Sequence, residues 1–309
     1  MITATGLRKA YGNHTVLDGI GLDVPAGSIF ALLGPNGSGK TTTVSLLTTL
    51  LRPDGGEIRV AGADPRTDPD AVRAAIGVTG QFAAVDGFLT GEENLLLMAD
   101  LHHLDRRTGR ERAAALLERF DLVDAAHRVA SAYSGGMRRR LDIAMGLMGS
   151  PRVLFLDEPT TGLDPRSRRA VWDTIRGLVA GGVTVFLTTQ YLEEADELAD
   201  RIAVLHGGRI VAEGTAAELK RLVPGGHVSL TFAGADGLRG AARLLDLPVP
   251  PDGLTLDVPG DGGVASLRAL LTTLDEAGIE LDALALHTPD LDDVFLALTA
   301  STTPKEPAR

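Results

Sequence analysis

The sequence predicts an α/β protein with a largely parallel sheet, followed by a small α+β domain. All-apolar runs such as VLFL, directly before Asp157, are typical of strands buried on both faces of a sheet. Between residues 150 and 200 such runs alternate with helical stretches, which is the pattern of parallel strands joined by crossover helices. After residue 226 a second series of shorter strand-like and helical runs begins, and it predicts the additional domain.

The composition is compatible with two well-packed domains. The chain has 309 residues, of which 44% are hydrophobic and 23% are charged. The absence of cysteine excludes disulfides and thiolate metal sites, and the seven histidines show no metal-ligand spacing. The N-terminal MITATGLRKAYG lacks the features of a signal peptide, and no apolar run approaches the roughly 18 residues of a membrane span. We therefore expect a cytoplasmic protein.

The net charge of −11 is unevenly distributed, because 13 acidic and only 5 basic residues follow residue 222. A nucleic-acid-binding protein needs a basic face that can neutralise phosphates. Neither half of the chain accumulates one, so we expect no nucleic-acid partner.

The first part of the chain divides into strand-like and helical runs in order. MITATGL, HTVLDGIGLDV and SIFALL (28–33) predict strands, TTTVSLLTTLL (41–51) predicts a helix, and the stretch from 92 to 148 is helical. Then follow the strand VLFLD, the helix PRSRRAVWDTIRGLVA, the strand VTVFLTT and the helix LEEADELAD. RIAVLHGGRIVAEG predicts a hairpin that turns at Gly207 and Gly208.

LVPGGH (222–227) is the predicted linker, so we place the first domain at 1–222 and its helical subdomain at about 82–150. The second domain, 223–300, contains the strand-like runs VSLTF, LTLDV and LDALAL, interleaved with helical AARLLDL, SLRALLTTLDEAG and DDVFLALT. The tail 301–309 is predicted to be disordered.

GPNGSGKT (34–41) matches the phosphate-loop pattern of Gly, four residues, then Gly-Lys-Thr, between a buried strand and a helix. Glycines let backbone N–H groups curve around phosphates, the lysine reaches the terminal phosphates, and the threonine hydroxyl coordinates Mg²⁺. The predicted nucleotide-binding residues here are Gly34, Pro35, Asn36, Gly37, Ser38, Gly39, Lys40, Thr41 and the adjacent Thr42.

A matching acidic pair, Asp157 and Glu158, ends the apolar strand VLFL. A carboxylate at the tip of a buried strand is costly unless it has a role. Asp157 can hold Mg²⁺ through water, and Glu158 can polarise the attacking water. If either this pair or the phosphate loop stood alone, an ordinary structural role, for the pair that of an acid that caps the end of a strand, would be an equally good interpretation. A GTP switch is disfavoured because no Asn-Lys-x-Asp segment is present, and a nucleotide kinase would lack the features that follow.

YSGGM (133–137) precedes a helix whose first turn carries Arg138, Arg139 and Arg140, although the positive end of a helix disfavours cations. Together with the phosphate loop and the acidic pair, this segment resembles the signature motif of ABC transporter ATP-binding subunits, over residues 1 to about 222. The resemblance implies that Ser134, Gly135 and Gly136 bind the γ-phosphate of ATP held by the other subunit. We expect Arg139 and Arg140 to lie on a solvated helix face.

The same resemblance assigns further roles. Tyr11 stacks on adenine beside Val16, and Gln81 contacts Mg²⁺ and senses the membrane partner. Asp164, in TTGLDP, crosses the dimer interface and can also cap the next helix. Gln190 stands where the family has a histidine that touches the γ-phosphate. A glutamine amide can donate a hydrogen bond but cannot take up a proton, so we expect Glu158 to be the base, with slow hydrolysis as the alternative.

Gln190, Met137 in place of the usual glutamine, and the C-terminal LDDVFLALT resemble the daunorubicin/doxorubicin-type branch of ABC exporters. The resemblance implies an ATPase that homodimerises around two ATP·Mg²⁺ at the inner face of the membrane and drives a separate permease subunit. The apolar stretch 82–98 is then expected to receive a helix of that subunit. A polysaccharide or lipid exporter, and a soluble ABC ATPase, remain the alternatives.

Overall fold

The computed structural model describes residues 1–222, 226–251, 253–260, 263–287 and 290–300. The chain divides into two compact units, Met1–Ala216 and Ala217–Arg309. The central residues of the predicted linker, 223–225, and the predicted disordered tail, 301–309, lie outside the described residues.

In the described residues of the first unit there are nine strands. They are β1 (Ile2–Tyr11), β2 (His14–Val24), β3 (Ile29–Leu33), β4 (Gly55–Val60), β5 (Ile76–Thr79), β6 (Val153–Asp157), β7 (Thr184–Thr189), β8 (Arg201–His206) and β9 (Arg209–Gly214). Its helices are α1 (Lys40–Leu47), α2 (Pro69–Ala75), α3 (Gly91–Leu101), α4 (Arg106–Arg119), α5 (Gly135–Gly146), α6 (Pro165–Ala180) and α7 (Leu192–Leu198), with 3₁₀ turns at Val123–Ala125 and Ala130–Ala132.

A six-stranded sheet in the order β5-β6-β7-β3-β8-β9 forms the centre of this unit. Its strands are parallel except β9, which forms the predicted hairpin with β8. Every residue of β3, β6 and β7 is buried, as expected for parallel strands with both faces covered. Phe30, Phe155 and Phe186 pack across these three strands, with ring centroids 5.5 and 5.6 Å apart. Because the three strands are parallel, their carboxyl ends, and the loops that follow, meet at one edge.

A second sheet, β2-β1-β4, is antiparallel and packs its apolar face on the same core, with Leu7, Leu17 and Ile58 buried. The expected helix over 41–51 is shorter than the sequence predicts. It ends at Leu47, since Thr49 adopts a left-handed backbone with φ of 68°, and the threonines at 48 and 49 have weak helix propensity.

The helices of the predicted helical region begin at side-chain caps. At α3, Thr90 and Glu93 form a reciprocal capping box, and Asp105 caps α4. Each cap satisfies backbone N–H groups that a helix start leaves without an intrahelical partner. The helices α3, α4 and α5 all lie within the predicted range 82–150.

The second unit contains an antiparallel sheet in the order β11-β10-β12. Its elements are α8 (Ala216–Lys220), which begins at the last residue of the first unit, β10 (His227–Thr231), α9 (Ala235–Leu244), β11 (Thr255–Pro259), α10 (Val264–Glu276), β12 (Ala283–His287) and α11 (Leu291–Ala300). It has its own core, formed by residues such as Leu230, Phe232 and Leu256. Among the described residues, no helix has the length and hydropathy of a membrane span.

Candidate functional site

The phosphate loop connects β3 to α1 at the edge where the parallel strands end. Gly37 and Gly39 adopt left-handed backbones with φ of 81° and 109°, which favour glycine because a Cβ is sterically disfavoured there. Gly34 packs so tightly that a Cβ would lie 2.4 Å from the carbonyl oxygen of Leu205. The loop therefore depends on glycine for both its conformation and its packing.

Lys40, at the start of α1, is buried and folds back over the loop. Its Nζ donates to the carbonyl oxygens of Gly34, at 2.8 Å, and Pro35, at 3.1 Å. It also lies 3.2 Å from Oε1 of Glu158, and the two side chains are only 4% and 7% exposed. A buried ammonium needs such partners because desolvation of an unpaired charge is costly. Lys40 thus places a positive charge at the centre of the glycine loop.

Asp157 ends β6 beside the phosphate loop. Its Oδ2 accepts a hydrogen bond from the Thr41 hydroxyl at 2.9 Å, and its Oδ1 accepts one from the Thr188 hydroxyl on β7. Hydroxyl and carboxylate oxygens are the hard ligands that Mg²⁺ prefers. The donor set of Thr41 and Asp157, with Gln81 lining the same cleft as Thr41, therefore fits a Mg²⁺ ion.

Glu158 follows with a left-handed backbone, φ 49°, which is unusual for a residue other than glycine. Its N–H donates to the Thr188 carbonyl at 3.1 Å. Its carboxylate accepts from Gln81 Nε2 at 3.4 Å and from the Thr161 hydroxyl at 3.3 Å. The turn thus directs the carboxylate towards both Lys40 and Gln81.

These residues surround one open cleft of about 430 Å³. Its lining residues are Val16, Asn36, Gly37, Gly39, Lys40, Thr41, Thr42, Gln81 and Glu158. The structure therefore brings the phosphate loop, Gln81 and Glu158 together around a single space. Tyr11 is not among the lining residues: the ring is 50% exposed at the end of β1, with Lys9 Nζ 5.6 Å from its centroid. Its stacking role stays a prediction.

Ser134 and Asp164 each cap a helix. The Ser134 hydroxyl accepts from the Met137 N–H at 3.2 Å at the start of α5. Asp164 accepts from the N–H and the hydroxyl of Ser167 at the start of α6, at 3.0 and 2.6 Å, and these hydrogen bonds hold the pKa of Asp164 below its usual value. The two helix starts pack together, since a Cβ on Gly136 would lie 2.6 Å from the Ser167 hydroxyl.

Gln190 directly follows β7, beside the phosphate loop. The carbonyl of the preceding Thr189 accepts a hydrogen bond from the Gly34 N–H at 3.2 Å, which ties the ends of β7 and β3 together. The structure thus places Gln190 at the same edge as Lys40 and Asp157.

The expectation of a solvated face for Arg139 and Arg140 is wrong. Arg139 is 6% exposed and donates to backbone carbonyls on either side of Glu158. Arg140 donates to the carbonyl of Phe120 at 2.7 Å and pairs with Asp121 at 3.2 Å. The helix turns both side chains towards neighbouring segments whose carbonyls accept their hydrogen bonds, so protein groups rather than water satisfy these cations.

Two further buried acids were not among the sequence-predicted site residues. Asp142, one turn after Arg139 on α5, pairs with it at 3.0 Å. Glu194, on α7, accepts from the Thr160 hydroxyl at 2.7 Å and from Trp172 Nε1 at 3.1 Å, and burial raises its pKa. For Asp142 the available sequence signal was a single charged residue in an otherwise apolar helical segment, LDIAMGLM.

The comparisons with known proteins agree with this geometry. Residues 17–161 match the family model described as ABC transporter. A daunorubicin resistance ATP-binding protein of Streptomyces coeruleorubidus is 52% identical over 301 residues, covering 96% of this chain and 95% of the relative. The daunorubicin/doxorubicin resistance ATP-binding protein of Streptomyces peucetius is 49% identical over 306 residues, covering 96% and 92%.

Among solved structures, an ATP-binding cassette determined as a dimer in a post-hydrolysis state with ADP and phosphate is similar, with a TM-score of 0.63. It is 26% identical, and the match covers 70% of this chain and 98% of that one. The chain therefore belongs to the ABC transporter family of ATP-binding, ATP-hydrolysing subunits, in the group that includes the two resistance proteins.

Proposed function

We propose that this protein is the ATPase subunit of a drug exporter, in which two copies enclose two ATP·Mg²⁺ and drive a separate membrane subunit. The observation that carries the proposal is that the exposed helix starts at Ser134 and Asp164 lie outside the lining of the phosphate-loop cleft. The 430 Å³ cleft holds the phosphate loop, Gln81 and Glu158, but none of its described lining residues comes from the helix starts at Ser134 and Asp164. Those helix starts are available to serve the nucleotide of a second copy.

In the proposed site, the N–H groups of the glycine loop and the ammonium of Lys40 bind the β- and γ-phosphates. Thr41, Asp157 and Gln81 would hold Mg²⁺, which would screen the charge of the phosphate oxygens. Water attacks the γ-phosphorus, the bond to the bridging oxygen breaks, and ADP leaves. Glu158 accepts the proton of the attacking water, while the Gln190 amide donates a hydrogen bond to a γ-phosphate oxygen.

The second copy contributes the start of α5. Gly135 and Gly136 expose N–H groups, Ser134 provides a hydroxyl, and the helix dipole favours an anion at this position. ATP therefore stabilises the closed dimer, and its hydrolysis removes the γ-phosphate that both copies bind. A cycle of this kind requires only that the closed state prefers ATP over ADP. The dimeric cassette structure among the similar proteins supports this arrangement.

The membrane subunit is proposed to dock near the loop that follows Gln81. Phe82 and Phe88 are 87% and 94% exposed, and Leu101 on α3 is also exposed. Exposed aromatic side chains at neighbouring positions are typical of an interaction surface. This location places the docking surface on the same loop as Gln81, which also contacts Glu158. The names of the relatives indicate daunorubicin and doxorubicin as the class of exported drug.

Two measurements test the proposal. Glu158→Gln keeps the shape of the side chain but cannot accept the proton, so ATP and Mg²⁺ are expected to trap a dimer on gel filtration. Lys40→Ala is the control and is expected to stay monomeric and to bind no nucleotide.

In the source cells, deletion of the gene should raise doxorubicin accumulation, with rescue by wild type but not by Lys40→Ala. A Glu158→Gln protein that stays monomeric with ATP would contradict the dimer, and unchanged doxorubicin accumulation would contradict drug export.

A further inference from the structure

The guanidinium of Arg139 occupies a buried position between three functional segments. Its Nε donates to the Pro159 carbonyl at 2.8 Å, and NH2 donates to the Asp157 carbonyl at 3.1 Å. NH1 donates to the carbonyl of Gly80 at 2.8 Å. The first two acceptors flank Glu158, and the third directly precedes Gln81. One side chain therefore holds the backbone around Glu158 and the backbone next to Gln81.

Asp142 completes the arrangement from the next turn of α5. Its Oδ2 pairs with Arg139 NH1 at 3.0 Å, and its Oδ1 accepts from the N–H of Ala84 at 2.9 Å. Both side chains are almost fully buried, at 7% and 3% exposure. The pair thus binds the segment around Gln81 at two points, Gly80 and Ala84. The planar fork of arginine can bond several acceptors at once, whereas a lysine ammonium cannot reproduce this geometry.

Both residues belong to the helix whose start faces a different nucleotide in the proposed dimer. Ser134 caps α5, which begins at Gly135 and not after Met137 as the sequence predicted, so Arg139 lies in its second turn. The backbone of a short helix moves as a unit, since its hydrogen bonds link successive turns. A shift of α5 caused by the phosphate at its start therefore moves the donors that hold Asp157, Pro159 and Gly80.

We propose that Arg139 and Asp142 are positioning residues that couple the two nucleotide sites of the dimer. Within each copy, they transmit the binding of the partner's ATP at Ser134 to the placement of that copy's own Glu158 and Gln81. This inference rests on the proposed dimer function. Its consequence is cooperative ATP hydrolysis that depends on the pair, because two sites coupled through a common element influence each other reciprocally.

The test compares ATP hydrolysis by the purified full-length chain for wild type, Arg139→Lys and Asp142→Asn. Arg140→Gln is the matched control, since Arg140 lies on the same helix but bonds Phe120 and Asp121 instead. Thermal unfolding and the affinity for a fluorescent ATP analogue are measured on each protein. Wild type is expected to show a Hill coefficient above 1. Both pair variants are expected to give a coefficient near 1 and about a tenfold lower kcat, with analogue affinity changed by less than about twofold.

The control should retain the wild-type coefficient and kcat. Asp142→Asn is isosteric and leaves the donors of Arg139 in place. If Arg139→Lys is unstable, the Hill coefficient of Asp142→Asn still tests the coupling. Wild-type cooperativity in a folded Asp142→Asn or Arg139→Lys protein would overturn the coupling, and so would a wild-type coefficient of 1 in a protein that dimerises with ATP. Failure of Glu158→Gln to dimerise at all would instead overturn the proposed function.

Discussion

The side chain at position 190 is proposed to contact the γ-phosphate of ATP. Gln190 follows β7 beside the phosphate loop, and its amide can donate a hydrogen bond but does not titrate near neutral pH. Among the described residues, Lys40 and Glu158 are the ionisable side chains that line the cleft, and Asp157 contacts the lining residue Thr41. Glu158 stays the proposed base, because its carboxylate lines the cleft, whereas Asp157 is not among the lining residues and is proposed to hold Mg²⁺.

Gln190→Ala tests the donor role. The variant leaves Glu158 in place but removes a donor to the charge that develops on the γ-phosphate, so kcat should fall by about tenfold or more. ATP hydrolysis at saturating ATP is the measurement. Gln190→His is the control, since it restores a donor and should recover most of the rate. An unchanged kcat for Gln190→Ala would contradict the role.

At the scale of secondary-structure elements, Ser134 at the start of α5 has one observed role and one proposed role. Ser134 accepts the Met137 N–H, which satisfies the helix start, and it is proposed to bind the phosphate held by a second copy. These two roles can be separated, because aspartate is also a good helix cap but carries the wrong charge for binding an anion.

Ser134→Asp and Ser134→Ala, each made in a Glu158→Gln background, separate the roles. The alanine variant loses the cap and should lose about 1 kcal/mol of unfolding free energy. The aspartate variant should keep that stability but fail to form the ATP-trapped dimer, because its carboxylate repels the γ-phosphate. Urea unfolding and gel filtration with ATP and Mg²⁺ measure the two effects. An ATP-trapped dimer of the aspartate variant would show that Ser134 does not face phosphate.

The elements that the sequence predicted well are those encoded in contiguous patterns. All-apolar runs predicted the buried strands β3, β6 and β7. The glycine pattern predicted the phosphate loop after β3, and the pair Asp157-Glu158 predicted an acidic end of β6. Short elements such as β4, β5 and α2 were not predicted, since few residues carry little periodicity. The contacts of Arg139 were predicted wrongly for a different reason. Its carbonyl acceptors lie 18 to 59 residues away along the chain, and only the folded structure brings them next to it.

At the scale of the whole molecule, the chain carries a second unit with its own core. That unit has the antiparallel sheet β11-β10-β12 and a cluster around Leu230 and Phe232. The sequence after residue 222 is strongly acidic. Relatives match over nearly their full length, so the unit is a shared part of the resistance proteins. We propose that it stabilises the ATP-bound dimer.

Removal of residues 223–309 tests this role. The first unit keeps its own core, so it should still bind ATP. The ATP-dependent dimer should dissociate at about tenfold higher concentration, which corresponds to about 1.4 kcal/mol. Sedimentation of the Glu158→Gln protein, with and without the deletion, is the measurement. Equal dimer affinity with and without residues 223–309 would rule the role out.

The left-handed backbone at Glu158 has a consequence for how this enzyme tolerates change. The φ of 49° is a conformation that glycine adopts freely and glutamate resists, at a typical cost of about 1 kcal/mol or more. Glu158→Gly would relax this backbone, but it would also leave the buried ammonium of Lys40 without its carboxylate partner, and the loss of a buried ion pair outweighs the relief of strain. The strained turn and the ion pair are therefore linked, and a glycine at this position would not make the fold more robust.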